Sequence, residues 1–182
     1  APQYFLDMYP IESIRRPEWK DDDLDDIPES VAKRFIGRKK NIHDKLLELG
    51  IVEKTLQAYL ASISYADSLL GQVLDTLESS DHADNTIIVF WSDHGYGHGE
   101  KGNWGKHTLW QRTSNVPFLW AGPGIKKDAK TEYTATLIDM YPTLASMCSL
   151  PKDPEHDGQS LESVLKSPSQ SGSRSVLLPH DH

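Results

Sequence analysis

The sequence predicts an α/β fold, and three adjoining features carry that prediction. Residues 53–80 place apolar side chains at spacings of three and four, a short polar turn follows, and residues 86–91 form an unbroken apolar run. A long amphipathic helix, a tight connection and a strand of the kind buried on both faces together read as a layered helix-and-sheet domain. In the helix, Leu56, Tyr59, Leu60, Ile63, Ala66, Leu70, Val73, Leu74 and Leu77 form one stripe suited to lying on a sheet. Between them Gln57, Ser62, Asp67, Gln72, Asp75 and Glu78 face water. The strand Thr86-Ile87-Ile88-Val89-Phe90-Trp91 is rich in the β-branched and aromatic residues that suit a pleated, packed surface.

The other elements follow in order. Residues 1–50 are expected to be irregular and loop-rich, punctuated by Pro2, Pro10, Pro17 and Pro28. Their acidic stretch, Asp21 to Asp26, lacks the glycine and terminal glutamate of an EF-hand loop and reads as a solvated loop, offset locally by Arg38-Lys39-Lys40. A second short strand is expected at Val116 to Trp120, with Pro117 near its start and Gly122-Pro123-Gly124 closing it. A helix is expected from Asp139 to Cys148, with Asp139 as N-cap and Pro142 in the first turn. Cys148, at its end, reads as a small core residue. A short helical piece is expected over Ser160 to Lys166, and residues 167–182 read as a tail that begins with a flexible surface loop. The whole is expected to be one domain, with 51–166 as its helix–strand core.

Composition limits the function. The formal net charge of -8 opposes general binding of nucleic acid or anionic membrane, which needs a basic face. No apolar run approaches the roughly 18 residues of a membrane span. A single cysteine excludes an internal disulfide framework and an all-cysteine metal cage.

The chemistry is concentrated after the first strand, in Ser92-Asp93-His94-Gly95-Tyr96-Gly97-His98-Gly99-Glu100-Lys101-Gly102-Asn103-Trp104-Gly105-Lys106-His107. Open α/β sheets bind ligands at the carboxyl ends of their strands. Here a glycine-rich loop brings an acid, several histidines and two lysines to that place. Asp93 offers oxygen to a hard divalent cation, His94 adds a nitrogen, and the lysines suit an anionic substrate. The same Asp-His-Gly can also be a plain turn whose aspartate caps backbone amides. The residues alone leave both readings open.

Ser92-Asp93-His94-Gly95 with Gly99-Glu100-Lys101, Trp104, Lys106 and Val116-Pro117 resembles the second metal-binding segment of the type I, formylglycine-dependent sulfatases. The likeness is to their iduronate-2-sulfatase-like and choline-sulfatase-like branch. Tyr59 to Asp67 resembles the helix before that strand, Asp139-Met140-Tyr141-Pro142-Thr143-Leu144 the Asp-x-x-Pro-Thr helix, and Asp157-Gly158-Gln159-Ser160-Leu161 the element that follows. Tyr4-Phe5 with Met8-Tyr9-Pro10 resembles the stretch after the family's central histidine, so the likeness spans nearly the whole chain in order. It implies an α/β/α sandwich of the alkaline-phosphatase-like superfamily, present here in part, around a largely parallel sheet. It implies that Asp93 and His94 are ligands of Ca2+ or another divalent cation, and that Lys106 contacts the sulfate group. His98 departs from the pattern, which often has an apolar residue there, and Lys101 and His107 carry no assigned role. His43, His82 and His156 are expected to be surface bystanders, and His180 and His182 have no reading.

The resemblance also implies what this sequence does not hold. The formylglycine arises from Cys or Ser in a Cys/Ser-x-Pro/Ala-x-Arg motif, whereas Cys148 is followed by Ser149-Leu150-Pro151-Lys152. That motif and the first metal-binding aspartates are expected upstream of Ala1, so this chain alone is expected to be inactive. Without the upstream strands, the apolar faces of the long helix and the strand are expected to lie exposed. The implied activity is hydrolysis of sulfate esters of a small molecule or carbohydrate, in the periplasm or outside the cell. The implied partner is the N-terminal part of the same domain. A phosphonate or phosphate ester hydrolase of the same superfamily, or a non-catalytic remnant, is the alternative.

Overall fold

The structure, a computed structural model, describes residues 1–20, 22–151, 153–170 and 174–176. In chain order its helices are α1 (Gln3–Asp7), α2 (Glu29–Glu48), α3 (Val52–Glu78), α4 (Gln111–Ser114), α5 (Met140–Met147) and α6 (Glu162–Lys166). The strands are β1 (Ile88–Trp91), β2 (Gly97–His98), β3 (Trp104–Gly105) and β4 (Phe118–Ala121). They fall into two compact units, one of residues 1–80 with 94–115, the other of residues 81–93 with 116–182.

In the first unit, α3 forms where the apolar period placed it, and its N-terminal half is the buried half. Val52 and Leu56 join Trp104 in a core against which Ile14, Trp19 and Leu46 pack. Each such side chain contributes roughly 1.5–3 kcal/mol when fully buried. Farther along, Ile63 and Val73 are 51% and 65% exposed, so the stripe runs on past the surface that covers it. The N-terminal segment is tied to α3 by polar contacts. The Gln57 amide donates to the Tyr9 carbonyl at 2.8 Å, and the Tyr9 hydroxyl lies 2.6 Å from that of Ser64.

Residues 1–50 are not irregular throughout: α2 occupies twenty of them. Pro28 stands just before the helix, and its carbonyl accepts from Val31 and Ala32, so it starts α2 rather than breaking it. At the other end Gly50, with φ +63°, donates to Leu47 while Ile51 donates to Leu46. That is the paired termination in which a left-handed glycine satisfies the last carbonyls. The side chains of Arg38, Lys39 and Lys40 lie outside the described ones.

In the second unit β1 and β4 pair antiparallel, with Ile88 opposite Ala121 and Trp91 opposite Phe118. A largely parallel sheet was the expectation, and this pair departs from it. Nor is β1 buried on both faces: Phe90 and Trp91 are 42% and 44% exposed, and β4 is its one partner strand among the described residues. β4 begins at Phe118, two residues later than expected, leaving Pro117 outside the ladder where its missing N–H costs nothing.

α5 keeps close to its expected span, but Asp139 does not cap it. A single 3-10 turn, Leu137–Asp139, precedes the helix, and the Asp139 carboxylate turns back to accept from the amide and hydroxyl of Thr136. It also accepts from the Gln159 amide at 2.8 Å and from Arg174 at 2.7 Å, entirely out of contact with solvent. Burial pushes this carboxyl up, but those donors outweigh it and hold it below the ordinary carboxylate value. Thr143, also fully buried, accepts from the Leu161 amide and so fastens the approach to α6. Cys148 is exposed rather than in the core, since it sits where the chain leaves α5 and its backbone is no longer helical. The tail expected over 167–182 lies partly outside the described residues, and His180 and His182 lie wholly outside them.

Candidate active-site loop

The loop singled out by the sequence starts where β1 ends. Asp93 is exposed and belongs to the unit that holds β1, whereas His94 begins the stretch 94–115 of the other unit. His94 Nδ1 lies 2.7 Å from the Gly95 carbonyl oxygen, a contact that requires the proton on Nδ1. In the neutral ring this makes Nε2 the electron-pair donor, the arrangement by which a backbone carbonyl orients a metal-binding imidazole. The donor types, one carboxylate and one oriented imidazole, fit part of a divalent-cation site. Among the described residues no group of three or more His, Cys, Asp or Glu could hold a metal.

From Gly97 the chain folds into a small hairpin, with Gly97 opposite Gly105 and His98 opposite Trp104. Gly99 turns it, at φ +106°, and its amide donates to the Asn103 carbonyl at 2.8 Å. A Cβ at this position would meet the Trp19 indole at 2.6 Å, so the turn needs glycine for both its backbone and its neighbour. Lys106 follows directly after β3 and is exposed. His107, beside it, is also exposed and adopts φ +63°.

The charged residues of the hairpin divide by use. The Lys101 ammonium donates to the Asp23 carbonyl at 2.5 Å and to the Asp26 carboxylate at 2.8 Å. The Asp23 carboxylate takes the Lys101 amide at 2.8 Å, and Trp110 lies 5.3 Å from the ammonium. The hydrogen bond to Asp26 raises the Lys101 ammonium above its ordinary value and lowers the Asp26 carboxyl below its own. Thus part of the acidic stretch read as a solvated loop is a docking strap for the hairpin; Asp21 lies outside the described residues. Glu100 is shared between the His98 amide, 2.8 Å away, and the Arg112 guanidinium at 3.2 Å.

His98 packs half-buried against Tyr59, Tyr96 and Trp104, with ring centroids at 4.2, 5.1 and 5.9 Å. Burial pushes its imidazole below the ordinary histidine value, with Glu100 pulling the other way. It works as an aromatic core piece, which explains why a position often apolar accepts histidine here. His43 is not a surface bystander: it accepts from the Trp104 indole at 2.9 Å and its ring stands 4.7 Å from that of Trp19. His82 and His156 are exposed, as expected. The sequence offered little signal for His43, Trp19 or Asp23, because their partners are 61 to 79 residues away along the chain.

The sulfatase family model matches residues 12–149. A sulfatase of Formosa agariphila is 39% identical over 166 residues, which is 91% of this chain and 33% of that protein. Among solved structures, a phosphonate monoester hydrolase from Silicibacter pomeroyi superposes with a TM-score of 0.77 at 25% identity, covering 94% of this chain and 36% of that one. Another, solved in complex with its substrate D-glucosamine-2-N,6-O-disulfate, gives a TM-score of 0.61 at 28% identity over 64% of this chain and 24% of that one. The chain therefore spans about a third or less of the length of these relatives. Their likeness shows the alkaline-phosphatase-like α/β/α architecture, of which this chain forms a part.

Proposed function

Because the chain belongs to the sulfatase family, we propose that it supplies the second metal-binding segment and a sulfate-contacting lysine to an enzyme that hydrolyses sulfate esters. The observation that supports this most is the order strand, Asp93-His94-Gly95, braced hairpin, Lys106, which presents an acid, an oriented imidazole and a cation after one strand. Asp93 and His94 are two ligands of a divalent cation, calcium by resemblance, and the remaining ligands come from outside this chain. That cation, when bound, supplies positive charge that polarises the sulfate group and favours the ionised nucleophile. The nucleophile implied by the family is a formylglycine, also from outside this chain. Lys106 meets the sulfate oxygens and offsets the negative charge that grows toward the leaving alcohol oxygen in the transition state. The substrate is a sulfated carbohydrate, a reading supported by the disulfated glucosamine of the solved relative. This chain on its own has no turnover.

The full-length protein tests the reading. Lys106→Ala is expected to lower kcat/KM for a sulfate ester by about 100-fold. Calcium is expected to raise its melting temperature, a chelator to lower it, and Asp93→Ala to abolish the response. Indifference to both calcium and chelator counts against the metal site. A second reading, hydrolysis of phosphonate monoesters, draws on the Silicibacter structure. Parallel assays of a sulfate ester and a phosphonate monoester decide between them, and dominant phosphonate turnover sinks the sulfatase proposal.

A further inference from the structure

The hairpin that leads into Lys106 is gripped by side chains that no step of sulfate ester hydrolysis calls for. Trp104, two residues before Lys106 and only 5% exposed, donates its indole N–H to His43 Nδ1 at 2.9 Å. An indole nitrogen can only donate, so His43 accepts with the Nδ1 lone pair and carries its proton on Nε2. On the opposite strand of the hairpin, Trp19 donates its indole N–H to the His98 carbonyl at 3.0 Å. The three rings also touch one another: His43 meets Trp19 edge-on at 4.7 Å between centroids, and Trp19 meets Trp104 at 6.2 Å. Each strand of the hairpin is therefore held by one directional bond, and the two bonds are joined through a shared aromatic contact.

We propose that Trp19, His43 and Trp104 form a positioning clamp that fixes the backbone entering Lys106 and so sets how well its ammonium meets the sulfate group. The proposal rests on the reading of Lys106 as the sulfate contact. Packing alone would not need the nitrogen of His43. The nitrogen matters because a buried indole N–H without an acceptor is costly, and the cheapest relief is for β3 to move outward to water. That movement carries Lys106 with it. His43 resists it well, since it projects from the twenty-residue helix α2 rather than from a loop. None of the three touches substrate in this account; they act through Lys106.

A double-mutant cycle in the full-length protein tests the clamp, with 4-nitrocatechol sulfate as substrate. His43→Leu is expected to lower kcat/KM about tenfold. His43→Asn, whose amide oxygen falls near the place of Nδ1, is expected to stay within about threefold of the unmodified enzyme. In a Lys106→Ala background, His43→Leu is expected to cost less than about twofold more, because the clamp has lost what it positions. If His43→Leu melts below the assay temperature, His43→Gln replaces it: its oxygen reaches the Nε2 place instead and is expected to lose about tenfold as well. A His43→Leu loss that adds in full to a damaging Lys106→Ala overturns the clamp and leaves Lys106 in its role. Equal damage from His43→Asn and His43→Leu, or none from either, also overturns it. A Lys106→Ala variant with unaltered kcat/KM overturns the clamp together with the reading of Lys106.

Discussion

Lys101 and Asp139 are both charged side chains held by several partners, yet they are held in opposite ways. Lys101 keeps 19% of its side chain exposed and is bound by side chains and one carbonyl from a segment 75 to 78 residues away. One of its partners, Asp26, is 70% exposed. Asp139 has no exposure and is bound by two backbone amides, a hydroxyl and a guanidinium, three of them within 20 residues. The first arrangement is a strap across the candidate loop, open to water and salt. The second is a sealed joint in the framework. The hairpin loop is fastened by groups that water and salt can reach, while the α5–α6 joint is fixed by groups that cannot be re-solvated cheaply.

Removing the sealed joint gives the largest expected change. Asp139→Ala leaves two amides and Arg174 without their acceptor and is expected to cost about 3–5 kcal/mol, read from urea unfolding. A cost near that of a surface substitution would break the contrast. The pH dependence follows from the lowered Asp139 carboxyl: its contribution is present above the unfolded value near ~3.9 and is lost as pH falls through the folded value. Next comes the strap. Lys101→Met is expected to lower the melting temperature by a few degrees at low salt, with the gap from the unmodified protein narrowing as ionic strength rises. A salt-independent gap would mean that the Lys101 stem, packed beside Trp110, matters more than its charge. The smallest effect belongs to His98. Its folded-state value is lowered, so it stabilises above the unfolded value near ~6.5 and loses that contribution as pH falls through the folded one. His98→Leu is therefore expected to match the unmodified protein near pH 8 and to gain on it toward pH 5. Parallel pH–stability curves for the two would show that the ring is not held neutral by its burial.

What could be read in advance follows the same division. α3, β1, β4 and α5 were legible because each carries a local signal: a period of three and four, a β-branched run, a proline beside a strand, or a proline in a first turn. α2 was misread because four prolines and an acidic run outweighed the helix-forming stretch between Pro28 and Gly50, although both end signals stood in the sequence. The Asp-His-Gly loop and Lys106 could be picked out in advance as an acid, an imidazole and a cation following a strand, and their roles rest on the proposed function. Their bracing was not legible, since Asp23 with Lys101 and His43 with Trp104 are tertiary pairings that no local pattern encodes. Cys148 shows the same limit from the other side: an apolar neighbourhood in sequence did not make it buried in space.

The close approach of Trp19 to Gly99 has an evolutionary consequence. Any side chain at position 99 collides with the indole, and a smaller residue at position 19 would still leave a left-handed backbone for the newcomer to adopt. Position 99 is held to glycine whatever stands at position 19, and the tryptophan can shrink only at the loss of its bond to the hairpin. The two sites, 80 residues apart in the chain, form a single inherited character: descendants are expected to keep both or to rebuild the hairpin outright.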